Sequence, residues 1–596
     1  MAKKALNIMP VKGASEVPVA KVRRYYEALA KGEGDKVAIA MHEYLSFFET
    51  LHFTSYSQDD LHRLDTFVSV VIAAMADPAF ILKGPLAVNL IATNHLLCNL
   101  VATSAYGTTD GILKQVLRQQ DNLLKVLFLY NQRCETVIDV KSFFDVEPQV
   151  ASLWYTTYSL GTSNPSEIQL KNLQRHAEGM DERFVAPHRK LSCMYFTNTY
   201  LAPLEDRRFK GIINQACKKR FVFDIKSNPN PKKIAIVSAK WHRNHAVYKS
   251  AAPLVNQLRD EYDLTLVHLG ENVPKNLVTE GFEKVINAKF NESNLKLPPE
   301  IMENQFAAIY YPDIGMNDEG LWMSNCRIAP IQVMGYGHPA TSGDHSEIDY
   351  FIGGDCEKGV GHCYGEQMIL IPGLAQAPMW PQYERKNNWE QQDELQINCV
   401  WGPDKYNYNM LSVLREISRR AWTPHKWNFF PSPGIHRYAG FVPFLHSVLK
   451  ILPNSFVHAD KEYYPYMEAA EKGDFSLNSF PFGGYNTVVE SLFLGLPIVT
   501  LEGDRYYNRA ASYLLRSIGM GALSHTEPED FIKCCVNMID NENDRLDYRA
   551  QLEAMDLKTE LFRDDKDKHF LQAFKYIFAN HPIEKTDNPI LIGATT

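Results

Sequence analysis

The sequence predicts an α/β protein in which an all-α N-terminal domain precedes two consecutive α/β domains. Three observations predict it. Apolar residues recur at three- and four-residue spacing from about residue 20 to 225; beyond residue 230, short apolar runs alternate with helical segments; and this alternation is interrupted once, by the polar stretch ERKNNWEQQDE at 384–394, before it restarts. Dividing 596 residues by roughly 150 per domain also gives three or four domains. The expected boundaries are 1–230, 231–385 and 386–596.

In the first region AKVRRYYEALA, DLHRLDTFVSVVIAAMA, AVNLIATNHLLCNLVATSA and EDRRFKGIINQACKKRF each read as a helix. No helical-array repeat connects them, so this domain is expected to support or recruit rather than to supply chemistry. The Pro- and Lys-rich KSNPNPKK at 226–233 ends it. Strands are then expected at 234–239, 264–269, 306–311, 331–336, 349–353 and 368–371, with a helix over 246–262. After the polar break, strands are expected at 397–401, 427–430, 456–458, 475–477 and 498–501. Apolar strands separated by helices indicate parallel sheets covered on both faces, and ligands bind such sheets outside the carboxyl ends of their strands.

Composition removes several classes. A formal net charge of −8 without a long basic block lacks the footprint of a duplex-binding protein, so no nucleic-acid partner is expected. The N-terminus has no apolar run of signal-peptide length, and no stretch reaches about 18 apolar residues, so no membrane span and a cytoplasmic location are expected. Ten scattered cysteines fit reduced, mostly buried thiols.

The segment SFPFGGYNTVVESLFLGLPIVTLEGDRYYNRAASYLLRSIGM, 479–520, carries the most chemistry. A strand ends at Gly483-Gly484 and a helix begins near Asn486 and Thr487, where backbone N–H groups and the helix dipole can hold phosphate. Glu490 follows one turn on, where a carboxylate can accept from two ribose hydroxyls. The plainer alternative is an ordinary helix start followed by a solvated Glu. Lys405, in WGPDKYNYN, sits where a strand-end loop can direct a cation at a diphosphate, although an isolated loop lysine is ordinarily just solvated. His245, in SAKWHRNHAVYKS, follows the first strand of the middle domain and can contact sugar or acceptor or shuttle a proton, with His242 as a rival and a purely structural role as the alternative. Gly335, Gly337, His338, Pro339, Thr341, Ser342 and Gly343 form a small, polar strand-end turn, or simply a loop with its own turn chemistry. Cys356, His362 and Cys363 have no second matching pair, which argues against zinc, and the acidic tract at 564–567 reads as surface. No metal site is expected.

At these residues the sequence resembles the catalytic core of the O-GlcNAc-transferase-like glycosyltransferases. The resemblance is carried by YPDIGM, RIAPIQVMGYGHPATSG with IDYFI, the SA…HAVY region and NRAASYLLRSIGM, in order through most of 234–520. It implies the GT-B arrangement, two facing Rossmann-like domains with a UDP-sugar held between them. The helical N-terminal domain and the FPFG turn, without a tetratricopeptide array, are similar to the HMW1C-like bacterial glucosyltransferases. That resemblance implies a cytoplasmic, metal-independent enzyme using UDP-glucose on asparagine of adhesin- or autotransporter-type proteins, or one extending an N-linked glucose by α-1,6-type addition. Transfer of a hexose to Ser/Thr, or a non-catalytic adhesin-binding pseudo-glycosyltransferase, are the alternatives.

By position, the resemblance makes His245 the active-site histidine and Lys405 the diphosphate-binding lysine. Asn486, Thr487 and Glu490 form the nucleotide-binding helix start, with Glu where the family usually has Asp. Tyr464 falls where a ring packs near the uracil, and FVHADKEYY supplies His458 beside it. Two positions depart from the family: its acceptor-side carboxylate falls near Leu201, and a glutamine near the sugar is replaced around Pro431. The loss of that carboxylate weakens the case for attack by an asparagine amide and favours a sugar hydroxyl as acceptor.

Overall fold

The computed structural model describes residues 17–593 apart from 51–55, 161–164, 188–189, 202–204, 221–228, 244, 271, 289–296, 298, 304, 337–339, 378, 388, 391, 432–439, 459–460 and 562–565. Gly337, His338 and Pro339, and half of the acidic tract, therefore lie outside the described residues. The described residues form two compact units. One takes in Met1–Arg183, Trp401–Glu416 and Lys426–Tyr466; the other takes in Phe184–Val400, Ile417–His425 and Met467–Thr596.

The first unit is mainly helical. Its helix Gln58–Ala76 begins at a reciprocal cap: Ser57 Oγ accepts from Asp60 N–H at 3.1 Å while the Asp60 carboxylate accepts from Ser57 N–H at 3.0 Å. The helix buries Leu64, Phe67, Val68, Val71 and Met75. The single helix expected over 87–105 is instead two, Gly84–Ala92 and Asn94–Thr103, bent by 55°. The break has a cause in the sequence. Asn94 is buried, and its amide donates to the carbonyls of Leu127, Phe128 and Tyr130 at 3.1, 2.8 and 3.0 Å, so a polar side chain is satisfied by starting a new helix there. Trp154, fully buried, stacks on Tyr130 at 5.7 Å and centres this core. Among the described residues no single helix is long and apolar enough to cross a membrane.

Fourteen strands are described, in chain order β1 (Asn230–Ser238), β2 (Asp263–Leu269), β3 (Lys284–Ala288), β4 (Phe306–Tyr311), β5 (Ile331–Met334), β6 (Tyr350–Gly353), β7 (Gln367–Leu370), β8 (Leu395–Cys399), β9 (His425–Phe429), β10 (Ser455–Val457), β11 (Phe475–Leu477), β12 (Ile498–Leu501), β13 (Ser524–His525) and β14 (Ile590–Leu591). They make an eight-stranded sheet in the order β14-β7-β6-β5-β4-β1-β2-β3 and a six-stranded sheet in the order β10-β9-β8-β11-β12-β13. The registered pairs in both are parallel. Each order reverses direction once, between β1 and β4 and between β8 and β11, the kind of switch point at which doubly wound sheets open a crevice. The eleven expected strands are present within a few residues. β3, β13 and β14 were not anticipated: β3 is a five-residue edge strand interrupted by exposed Lys284 and Asn287, and the other two span only two residues each.

Two helices of the region expected to be one N-terminal domain, Leu191–Tyr200 and Asp206–Arg220, belong to the second compact unit. They hold the loop after β5. Lys210 Nζ donates to Thr341 O at 3.1 Å, Asn214 Nδ2 to Ser342 O and Asp344 O at 2.8 and 2.9 Å, and Tyr195 Oη to Ser342 O at 3.0 Å. Gly343 adopts φ +90°, and a Cβ there would lie 2.4 Å from Lys210 Cβ, so only glycine lets the loop lie this close to the helix.

The chain's last helix and strand return to the first sheet. Helix His569–Asn580 buries Phe570, Phe574 and Ile577, and the Phe570 and Leu571 amides donate to Gln257 Oε1, on helix Ala246–Leu258, at 3.2 and 3.3 Å. β14 then pairs with β7, Ile590 opposite Ile369.

Candidate active site

β11 leads into a turn that its own side chains shape. Asn478 Oδ1 accepts from Gly484 N–H at 2.7 Å, while its Nδ2 donates to Thr500 Oγ1 on β12 at 3.0 Å, tying the turn to the sheet. Gly483 N–H donates to Tyr507 O at 2.7 Å. A Cβ at Gly483 would come within 2.7 Å of that carbonyl oxygen, and one at Gly484 within 2.1 Å of Thr487 Oγ1, which is why the turn reads Gly-Gly. Helix Asn486–Phe493 follows with no side chain capping its N-terminus. The amides of Asn486 and Thr487 are therefore not capped by a side chain, the arrangement in which a phosphate can complete the hydrogen bonding of a helix start. Asn486 and Thr487 are partly buried, Asn486 Oδ1 is buried without a hydrogen-bond partner, and Glu490 stands one turn further along.

In the first sheet, the β1/β4 switch point is braced by Asp313 of YPDIGM. Its carboxylate accepts from Ser238 Oγ at 3.0 Å and Ala239 N–H at 3.1 Å, and burial raises its pKa to about 6. Seven residues past β1, His245 is the N-cap of helix Ala246–Leu258: its Nδ1 accepts from Val247 N–H at 3.1 Å. Burial, followed by the charges of Lys240 and His242, drives its pKa down to about 4. The ring is therefore neutral near pH 7, and with Nδ1 used as an acceptor its proton resides on Nε2. His245 is a hydrogen-bond donor in this state rather than a base. His242, the rival, has its pKa lowered by burial and by Lys240.

Lys405, His458 and Tyr464 belong to the first compact unit, and the glycine turn, Glu490 and His245 to the second. Lys405 ends a 3₁₀ turn, Pro403–Lys405, four residues after β8. Asn407 fixes its backbone, donating from Nδ2 to Lys405 O at 3.2 Å and accepting from Met410 N–H at 2.9 Å. Loss of hydration lowers the pKa of the partly buried ammonium to about 8, with Asp404 opposing the shift. A lysine that is costly to keep charged here gains most from an anionic ligand. His458 stacks flat on Phe430, centroids 4.3 Å apart and 1° from parallel, and Nε2 is 3.3 Å from Asn428 Oδ1. Burial, then Lys461 and Lys426, takes its pKa to about 3, so this ring too is neutral near pH 7. Tyr464 is 62% exposed, its ring edge-on to Tyr463. Pro431 and Leu201 are buried.

Within the second unit several residues that sequence reasoning passed over join the glycine turn to the first sheet. Gln376 O accepts from Tyr485 Oη at 3.2 Å, Gln376 Oε1 accepts from Tyr506 Oη, and Gln376 Nε2 donates to Tyr336 O at 3.3 Å. Tyr336 and Tyr506 stack at 4.0 Å. Phe482 lies between Tyr200 and Tyr507, at 4.1 and 4.8 Å. Glu366, buried, accepts from Thr341 Oγ1 at 2.8 Å and Ser342 N–H at 2.6 Å, holding the TSG turn from below. Tyr336 and Tyr506 fall inside motifs already singled out; Gln376 and Glu366 carry no sequence signal of their own.

No family model matches the chain. A UDP-glucose:protein N-beta-glucosyltransferase of Actinobacillus pleuropneumoniae serotype 5b is 23% identical over 530 residues, covering 81% of this chain and 84% of that protein. Its counterpart from serotype 7 of the same species matches to the same extent. The chain is homologous to the HMW1C-like glycosyltransferases. An O-GlcNAc transferase variant from Thermobaculum terrenum shares its fold, with a TM-score of 0.56 at 16% identity over 94% of this chain and 98% of that one. The two parallel sheets are thus Rossmann-like folds of the GT-B kind, and a helical region precedes them.

Proposed function

We propose that the chain is a hexosyltransferase that takes glucose from UDP-glucose and adds it to a protein, on asparagine or on a glucose already N-linked there. The observation that carries this reading is the β11–turn–helix unit, whose Asn478-braced glycines leave the helix start open to a diphosphate. The donor is supported by the relatives' name, UDP-glucose:protein N-beta-glucosyltransferase.

In this reading the UDP lies at the β8/β11 switch point. The amides at Asn486 and Thr487 and the ammonium of Lys405 meet the charge that grows on the diphosphate as the glycosidic bond breaks. Glu490 accepts from the ribose hydroxyls, and Tyr464 and His458 line the base. His245, a donor at Nε2, meets the sugar or the leaving oxygen from the other fold. The cations are supplied by the protein, so turnover is expected to survive chelation of divalent metal. An adhesin-type acceptor, extension by α-1,6-type addition, a cytoplasmic location, and the three-part division at 230 and 385 belong to the same proposal.

The test is direct. The protein is incubated with UDP-glucose and either an Asn-X-Ser/Thr peptide or its N-glucosylated form, and the products are weighed. A gain of one hexose on the bare peptide identifies asparagine as acceptor; a gain on the modified peptide alone identifies glucose. No gain on either, with no UDP binding by calorimetry, ends the reading.

A further inference from the structure

We propose that a cavity beside the glycine turn is a carbohydrate subsite, holding the sugar of an already glycosylated acceptor rather than its peptide. The inference rests on the hexosyl-transfer reading and commits it to one of its two acceptors. The cavity measures about 400 Å³, in the range of small-molecule sites, and lies wholly within the second compact unit. It opens between the start of helix Asp206–Arg220, the TSG turn and the segment leading into helix Tyr506–Ser517.

Its charged lining is balanced. Arg207, Arg208 and Arg505 supply three guanidiniums, and Glu205, Asp206 and Asp344 supply three carboxylates. Guanidiniums only donate and carboxylates only accept, so an occupant that carries both functions side by side and no net charge fits this lining best. Sugar hydroxyls meet that description. A nucleotide phosphate would bring net charge to a lining whose guanidiniums and carboxylates balance, and a peptide backbone offers its donors and acceptors singly along an extended strand. The wall is held in place: Arg207 pairs with Asp344, and Asp206 accepts from Asn198 Nδ2 at 2.7 Å and pairs with Lys210 Nζ at 2.9 Å. The side chain of Arg505 is 17% exposed.

Position links the cavity to the donor. Tyr507 lines it, yet the carbonyl of the same residue accepts the Gly483 N–H and its ring lies on Phe482. The turn proposed to bind diphosphate and the wall of the cavity therefore share one residue.

Saturation-transfer NMR on the full chain without nucleotide, using isomaltose, an N-glucosylated asparagine peptide and the bare peptide as probes, tests the assignment. Binding of the two sugar-bearing probes at least tenfold tighter than the bare peptide is expected. Glu205→Gln and Arg208→Ala, both at the solvent-facing helix start, are expected to weaken sugar binding and raise the KM for the glycopeptide by five- to tenfold, with melting temperature and UDP affinity unchanged. Equal binding of bare and glucosylated peptide, or wild-type sugar binding in both variants, overturns the proposal. Because the sugar measurement uses no nucleotide, it stands even if UDP binding fails and the donor reading falls alone.

Discussion

At the scale of single residues, Lys405 and His245 are interesting for the state their surroundings impose. The Lys405 ammonium loses its proton as pH rises through about 8, so a diphosphate held by it is bound most tightly below that pH. UDP affinity, followed by calorimetry, is expected to fall between pH 7 and 9. In Lys405→Arg, whose guanidinium stays charged across this range, the fall should vanish. Lys405→Ala is expected to weaken UDP by about 10- to 100-fold, since a charge-assisted contact contributes about 1.5–3 kcal/mol; unchanged affinity would remove the role assigned here. His245 caps a helix and offers Nε2–H, and the two duties separate by substitution. His245→Ala should lower kcat more than UDP affinity and also cost about 1 kcal/mol of stability through the lost cap, while His245→Asn should recover the stability but not the turnover. Strand-end position made both side chains candidates, because such loops are where a doubly wound sheet displays its chemistry, and the family resemblance supplied their roles. Their protonation was not legible, since it depends on burial by residues distant in the chain.

At the scale of elements, the glycine turn makes the most demanding prediction. At Gly483 an added methyl meets a carbonyl oxygen that is part of the main chain, whereas at Gly484 it meets a threonine hydroxyl that can rotate away. Gly483→Ala is therefore expected to reduce UDP affinity by at least tenfold and Gly484→Ala by less, measured on variants whose melting temperatures are also recorded. The reverse ranking would mean that the turn adapts and does not set the site. This element was readable because strand, glycines and helix are contiguous in the chain. The TSG turn was only half readable: its small residues were evident, but its anchors, Lys210, Asn214 and Glu366, come from a helix 130 residues earlier and a strand end 24 residues later, separations that local pattern does not encode. The split at Asn94 was missed for the same reason, since an apolar run conceals that one amide is satisfied by carbonyls more than 30 residues away.

At the scale of the whole molecule, eleven of the fourteen described strands could be anticipated, but β3, β13 and the closing segment could not. β14 is two residues long, and only its pairing with β7 makes it a strand. Ending the chain after residue 568 removes Phe570, Phe574 and Ile577 from the core, each contributing about 1.5–3 kcal/mol by burial, and is expected to lower the melting temperature by more than 5 °C or abolish soluble expression. A truncated protein of wild-type stability would show the segment to be dispensable. During synthesis, β7 leaves the ribosome some 220 residues ahead of its outer neighbour, which at about 5–20 residues per second leaves that hydrogen-bonding edge bare for roughly 10–45 seconds. A nascent chain stalled in this interval should be the species most prone to pair with another copy of itself, and the one on which a chaperone has most to do.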